Sequence, residues 1–202
     1  MQNANRSLKV SMVLGLMVVA VILAMQYFDP KDTWHPSEVN AVNSLIAIYE
    51  AEWKWNTLDT DKNMKHDFWA RDIAGLYFYN NPSTGKSIKY IPREIAIADL
   101  SPHFNFYLGN QFECTPEKGY NFKMALYDVS GFYLAQKDPT TNLEYCSDDF
   151  CAIAFPVNPN LHTFLINSNK TILYKKINQL SEANKWPSEP EKSGWKELIL
   201  KN

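Results

Sequence analysis

An α+β fold behind an N-terminal membrane anchor is predicted by three features of this chain. A charge-free apolar run opens it, one amphipathic helical stretch follows, and segments of β character fill the second half. The expected organisation is a cytoplasmic N-terminus (1–9), a transmembrane anchor (10–28), a proline hinge (29–36) and an extracytoplasmic α+β domain (37–202). In that domain an amphipathic helix packs on an antiparallel β-sheet that ends in a C-terminal hairpin.

The anchor reads VSMVLGLMVVAVILAMQYF from Val10 to Phe28. As a helix it is roughly 28 Å long, close to the hydrocarbon thickness of a bilayer. Arg6 and Lys9 precede it without an acid, and Asp29 and Asp32 follow it. The positive-inside rule then leaves the N-terminus in the cytoplasm and the rest outside, in the periplasm or at the cell surface. Signal-peptide cleavage needs small residues at −3 and −1. Ile22 before Ala24 and Val18 before Ala20 break that pattern, so the segment reads as an uncleaved signal-anchor.

Pro30 and Pro36 bracket the hinge, because proline interrupts a continuous helix. Ser37 is the expected N-cap of the next helix. Val39, Val42, Leu45, Ile46, Tyr49 and Trp53 recur at steps of three and four and mark its core-facing stripe. TLDTDKNMKHD is then a polar loop, Ile73, Leu76 and Tyr77 suit a short helix, and Pro92 breaks the stretch Ile88 to Asp99. In GYNFKMALYDV the alternation of Tyr120, Phe122, Met124 and Leu126 describes a half-buried strand, which GFYLAQ is placed to pair. FCAIAFPV is a short apolar run suited to a central strand, and Thr163 to Lys175 reads as a hairpin. In the extended tail, Trp186 and Trp195 are expected to pin the chain to the domain.

Composition bounds the function. Of 202 residues, 46% are hydrophobic and 14% aromatic, which describes a globular protein. The net charge is −2, so no basic surplus exists to attract nucleic acid. Cys114, Cys146 and Cys151 are the only cysteines. Outside the cytoplasm Cys146 and Cys151 are disulfide candidates across SDDF; Cys114 pairing with either, or three free thiols, are the alternatives.

One local pattern suggests a metal. Asp59, Asp61, Asn63 and Asp67 stand at positions 1, 3, 5 and 9 of a loop, the oxygen spacing with which an EF-hand wraps Ca²⁺. Position 6 is Met64 in place of Gly and position 12 is Ala70 in place of Glu, which makes this a weak calcium candidate. No catalytic residue set emerges. His35, His66, His103 and His162 lack metal-ligand spacing and read as surface or capping residues. Asp148 and Asp149 mark a solvated turn, and no nucleophile elbow or phosphate loop is present. The many aromatics, Trp53, Trp55, Trp69, Tyr77, Phe78, Tyr79, Phe104, Phe106 and Tyr107, read as core filling, with a sugar or peptide platform as the functional alternative.

Three segments together carry a resemblance: the anchor followed by SEVNAVNSLIAIYEAE; DTDKNMKHDFWARDIAGLY; and GYNFKMAL, FCAIAFPV and HTFLINSNKTILYKK. They resemble bacterial pilin-like envelope proteins in the style of the pseudopilins of type II secretion. The resemblance implies a pilin-like fold, a structural or protein-interaction role in the cell envelope, and contacts with itself or with envelope and secretion proteins. The prepilin cleavage signature is missing, since Gly15 is followed by Leu16 and residue 20 is Ala20 without an acid. Taken together, the expectation is a non-enzymatic, membrane-anchored pilin-like protein without a cofactor unless the Asp-rich loop holds Ca²⁺. A tethered domain that binds a sugar or peptide is the runner-up, and a cryptic hydrolase comes third.

Overall fold

The computed structural model describes residues 34–101, 114–125 and 146–200, with nothing described for the side chains of 146 and 147. The expected anchor 10–28, most of the hinge, the GFYLAQ segment, His103 and the aromatics Phe104, Phe106 and Tyr107 lie outside the described residues. Among the described residues no helix is long and apolar enough to cross a membrane. The chain divides into a compact unit, His35–Glu197, and a second unit made of Met1–Trp34 and Leu198–Asn202. The compact unit is α+β, and its features follow.

Helix α1 spans Pro36–Leu58. Its cap differs from the expected Ser37. His35 is the N-cap: its Nδ1 accepts the Ser37 N–H at 3.2 Å, while Glu38 Oε2 accepts the His35 N–H at 2.8 Å. Pro36 therefore opens the helix instead of closing the hinge, since a first-turn residue needs no N–H donor. The helix ends where Asp59 turns left-handed, with φ 44°.

The buried face of α1 is also rotated from the expected stripe. Ala41, Val42, Leu45, Ile48, Glu52 and Trp55 are buried, whereas Trp53 is 42% exposed. Sequence hydrophobicity favours Trp53 over Glu52. The fold reverses that order because the Glu52 carboxyl receives a backbone donor inside the core, which removes much of the cost of burying it.

Beyond α1 come β1 (Phe68–Trp69), α2 (Gly75–Phe78), α3 (Arg93–Ile97), β2 (Tyr120–Met124), β3 (Cys146–Ser147), β4 (Cys151–Pro156), β5 (Thr163–Asn167), β6 (Ile172–Lys175), a 3₁₀ turn (Leu180–Ala183) and β7 (Lys196–Glu197). Pro92 directly precedes α3, and α2 forms where a short helix was expected. Among the described residues β2, β4, β5, β6 and β7 form a five-stranded sheet in that order, antiparallel throughout. β1 and β3 pair separately, Trp69 opposite Cys146. The alternation of Tyr120, Phe122 and Met124 in β2, the interior position of β4 and the β5–β6 hairpin match the sequence reading, and Leu126 lies outside the described residues.

Register assigns the two faces of the sheet. Phe122, Ala154, Phe164 and Tyr174 stand opposite one another on one face; Lys123, Ile153, Leu165 and Leu173 do so on the other. α1 packs on β4 and β5. The second face is covered by the chain after β6. There Cys151, Ile153, Leu165 and Leu173 form one cluster with Ile177, Ala183, Trp186 and Trp195. The two tail tryptophans thus bind the C-terminal segment to the sheet, as expected. Each large side chain so buried contributes about 1.5–3 kcal/mol. Both faces being covered explains why β4 reads as a continuous apolar run and not as an alternation.

Candidate functional site

Perturbed buried carboxylates are the usual pointer to a working site, so they come first. Glu52, Asp72 and Asp99 are all fully buried. They sit beside an aromatic cluster in which Trp55 and Trp69 lie 4.7 Å apart and Tyr79 stands 5.0 and 5.3 Å from them. Gly75 makes this packing possible: a Cβ there would stand 2.3 Å from Trp69 Nε1.

Each acid accepts at least one backbone N–H, while Glu52 Oε1 is buried without a hydrogen-bond partner among the described residues. Glu52 Oε2 accepts the Trp69 N–H at 2.9 Å. Asp72 Oδ1 accepts the Gly75 N–H at 2.6 Å and Trp69 Nε1–H at 3.3 Å, and Arg71 Nε lies 3.2 Å from its Oδ2. Asp99 accepts the N–H groups of Ala74 and Ser101, each at 2.8 Å, and the Ser101 hydroxyl at 3.1 Å. Burial raises the Glu52 carboxyl well above its usual range, with the Asp72 charge adding to it. Burial, followed by the same neighbour, pushes Asp99 up to about 7. These groups tie α1, the β1–α2 connection and the start of β2's neighbouring segment together. Their geometry is that of a structural knot: their bonds run inward to the chain.

The Asp-rich loop brings its predicted residues together. Asn63 Nδ2 donates to Asp61 Oδ2 at 2.9 Å and to Asp67 Oδ2 at 3.2 Å, while Asn63 Oδ1 accepts the Lys65 N–H at 2.8 Å. Asp59 Oδ2 accepts the Met64 N–H at 3.3 Å. Lys62 and Met64 take positive φ angles of 63° and 64°, so the turn forms without glycine at position 6. An amide N–H group, not an oxygen, faces the gap between the two carboxylates. Among the described residues no three His, Cys, Asp or Glu side chains are disposed to hold a metal ion.

Of the expected Cys146–Cys151 pair, Cys151 carries a free thiol, and the side chain of Cys146 lies outside the described residues. The strand pattern of β4 sends Cys151 into the cluster under the tail, while the backbone of Cys146 pairs with Trp69 in the other sheet. Cys114 is a second free thiol, its Sγ donating to Asn121 Oδ1 at 3.3 Å. Burial raises both thiols, Cys114 to about 11 and Cys151 further. A neutral thiol is a poor nucleophile.

The histidines read as capping residues have specific tasks. His66 Nδ1 bonds the Asn56 carbonyl at 2.9 Å near the end of α1. His162 Nδ1 lies 2.7 Å from Glu38 Oε1, 124 residues away in sequence. Sequence reasoning missed this pair and the Glu52–Asp72–Asp99 group, because each joins residues distant along the chain. The one local signal was Asp72 three places before Gly75, the spacing of a side chain that caps a helix start.

No protein-family model, curated protein or solved structure matches this chain.

Proposed function

We propose that this protein is a membrane-anchored, non-enzymatic module of the cell envelope, pilin-like in architecture, that works through protein–protein contact. The observation that carries the reading is a single 23-residue helix, α1, packed on an antiparallel sheet and following, in sequence, the apolar run 10–28 and its prolines. An anchor followed by a helix on an antiparallel sheet is the order that the pilin resemblance implies, with Pro30 and Pro36 a departure from it because they interrupt what would be one continuous helix. The exposed ring of Trp53 on α1 offers a contact surface, with Tyr49 and Phe68 behind it at 6.3 and 5.3 Å.

The test is cross-linking on intact cells with a photoreactive amino acid in place of Trp53, followed by mass spectrometry. Regular links to further copies of the chain, or to one envelope protein, are expected. A specific turnover by the purified full-length chain, or no link from this position to any protein, overturns the reading.

A further inference from the structure

The tail that covers the second face of the sheet leaves a depression of about 840 Å³ between itself and the β5–β6 turn, open to solvent on one side. That volume lies within the roughly 300–1,000 Å³ of small-molecule sites. Its walls include Thr171 and Leu173 from the hairpin and Trp186 and Trp195 from the tail. Trp186 is 9% and Trp195 4% exposed, so both rings are embedded. Neither indole N–H has a hydrogen-bond partner among the described residues, and neither is sealed from solvent. Both rings line the depression, and a largely buried ring whose one donor is unpaired can take an acceptor from an occupant.

The rim is charged and partly self-neutralised. Glu189 is paired with Lys192 at 2.7 Å. Glu191 and Glu197 remain as exposed carboxylate acceptors, and Lys196 as a donor. An occupant must therefore offer acceptors to the two indoles and hydroxyl or N–H donors to the two carboxylates, over a partly apolar floor. A polyhydroxylated ring meets all three demands at once. A bare cation offers no acceptor to the two indole N–H groups. A peptide strand would add along the outer edge of β7, whose Lys196 and Glu197 line the depression, and a peptide is therefore the competing occupant in the test below.

We propose that this depression binds a short neutral oligosaccharide, with Trp186 and Trp195 as donors and Glu191 and Glu197 as acceptors. The site stands on different residues from the proposed contact face on α1, so either reading survives failure of the other.

The test uses the full-length chain in a phosphocholine detergent, which carries no sugar headgroup. The indole N–H resonances of Trp186 and Trp195 are assigned with Trp186→Phe and Trp195→Phe. They are followed by NMR while maltotriose, cellotriose and triacetylchitotriose are added in turn to millimolar excess, with trilysine as the peptide arm. Saturable movement of both resonances with at least one trisaccharide is expected. The double variant Glu191→Gln, Glu197→Gln should bind about tenfold more weakly, as expected when charged acceptors become neutral ones, with an unchanged melting temperature because both positions are exposed. Resonances that ignore all three sugars overturn the proposal. So does movement with trilysine alone, which would make the depression an acidic peptide site.

Discussion

Glu38 Oε1 accepts both the ring Nδ1–H of His162 at 2.7 Å and its backbone N–H at 3.0 Å, so one carboxylate joins the start of α1 to the entry of β5. The other oxygen completes the capping box on His35. Tyr120 adds to the joint by donating its hydroxyl to the His162 carbonyl at 2.8 Å. Burial raises the Glu38 carboxyl, but the bonds from His162 and His35 outweigh it and the net shift is downward. A lowered carboxyl contributes stability that is present above its unfolded pKa and lost as pH falls through the folded one. Glu38→Ala should destabilise the domain by about 2–3 kcal/mol, the combined scale of a lost cap and a lost charged hydrogen bond. Chemical denaturation at neutral pH measures it. The deficit should shrink on acidification, and a deficit independent of pH contradicts the assignment.

The buried acids act in the opposite sense. Asp99 rises from 3.8 to about 7 on folding, and burial raises Glu52 well above its usual range. A raised pKa gives stability that is complete below the unfolded value and is lost as pH climbs through the folded one. The melting temperature should therefore decline between about pH 4 and pH 7 through Asp99, with the raised Glu52 carboxyl adding to the decline as pH climbs. Asp99→Asn and Glu52→Gln should each flatten the decline. Melting curves across that range decide it, and a wild-type melting temperature that rises steadily to pH 8 refutes it.

What was legible in the sequence was local. The alternation in β2, the unbroken apolar run of β4 and the turn residues between β5 and β6 each depend on neighbours a few places away, and period alone reads them. Trp186 and Trp195 were legible because large aromatics in a proline-rich tail have few places to go except a core. The buried face of α1 was not, because Glu38 and Glu52 look like solvent residues until His162 and the Trp69 N–H supply their partners. Those partners lie 124 and 17 residues away. The same reasoning covers the depression under the tail. Its indoles, its hairpin wall and its two glutamates meet only after the C-terminal segment has folded over the sheet.

The Asp-rich loop separates spacing from geometry. Its oxygens stand at calcium spacing in sequence, yet the side chain between Asp61 and Asp67 presents Nδ2 of Asn63 to both. Calcium would have to displace that donor and turn the amide. Asn63→Ala should cost about 1–3 kcal/mol, because it leaves two carboxylates facing each other without the shared donor. Melting curves of the wild-type chain in millimolar calcium and in chelator should coincide. An upward shift with calcium that Asp61→Ala and Asp67→Ala abolish would establish the metal reading.

Cys151 gives the sharpest chemical test of the packing. It is 3% exposed, lies in the cluster that the tail closes, and carries a free thiol whose pKa burial drives upward, with Asp149 adding to the shift. Only the thiolate alkylates at a useful rate, so iodoacetamide should leave Cys151 untouched in the folded chain. In denaturant without a reductant the same residue should label to completion, since no bridge withholds it. Peptide mapping of the two samples reads both states at one site. Labelling that requires a reductant would restore a disulfide at Cys151. Rapid labelling of the folded chain would mean that the tail does not close over the sheet face, and the depression beside it would lose its wall. Cys151→Ser provides the energetic counterpart. It is nearly isosteric but places a hydroxyl among Ile153, Leu165 and Trp186. A loss of about 1–3 kcal/mol is expected if that hydroxyl finds no acceptor.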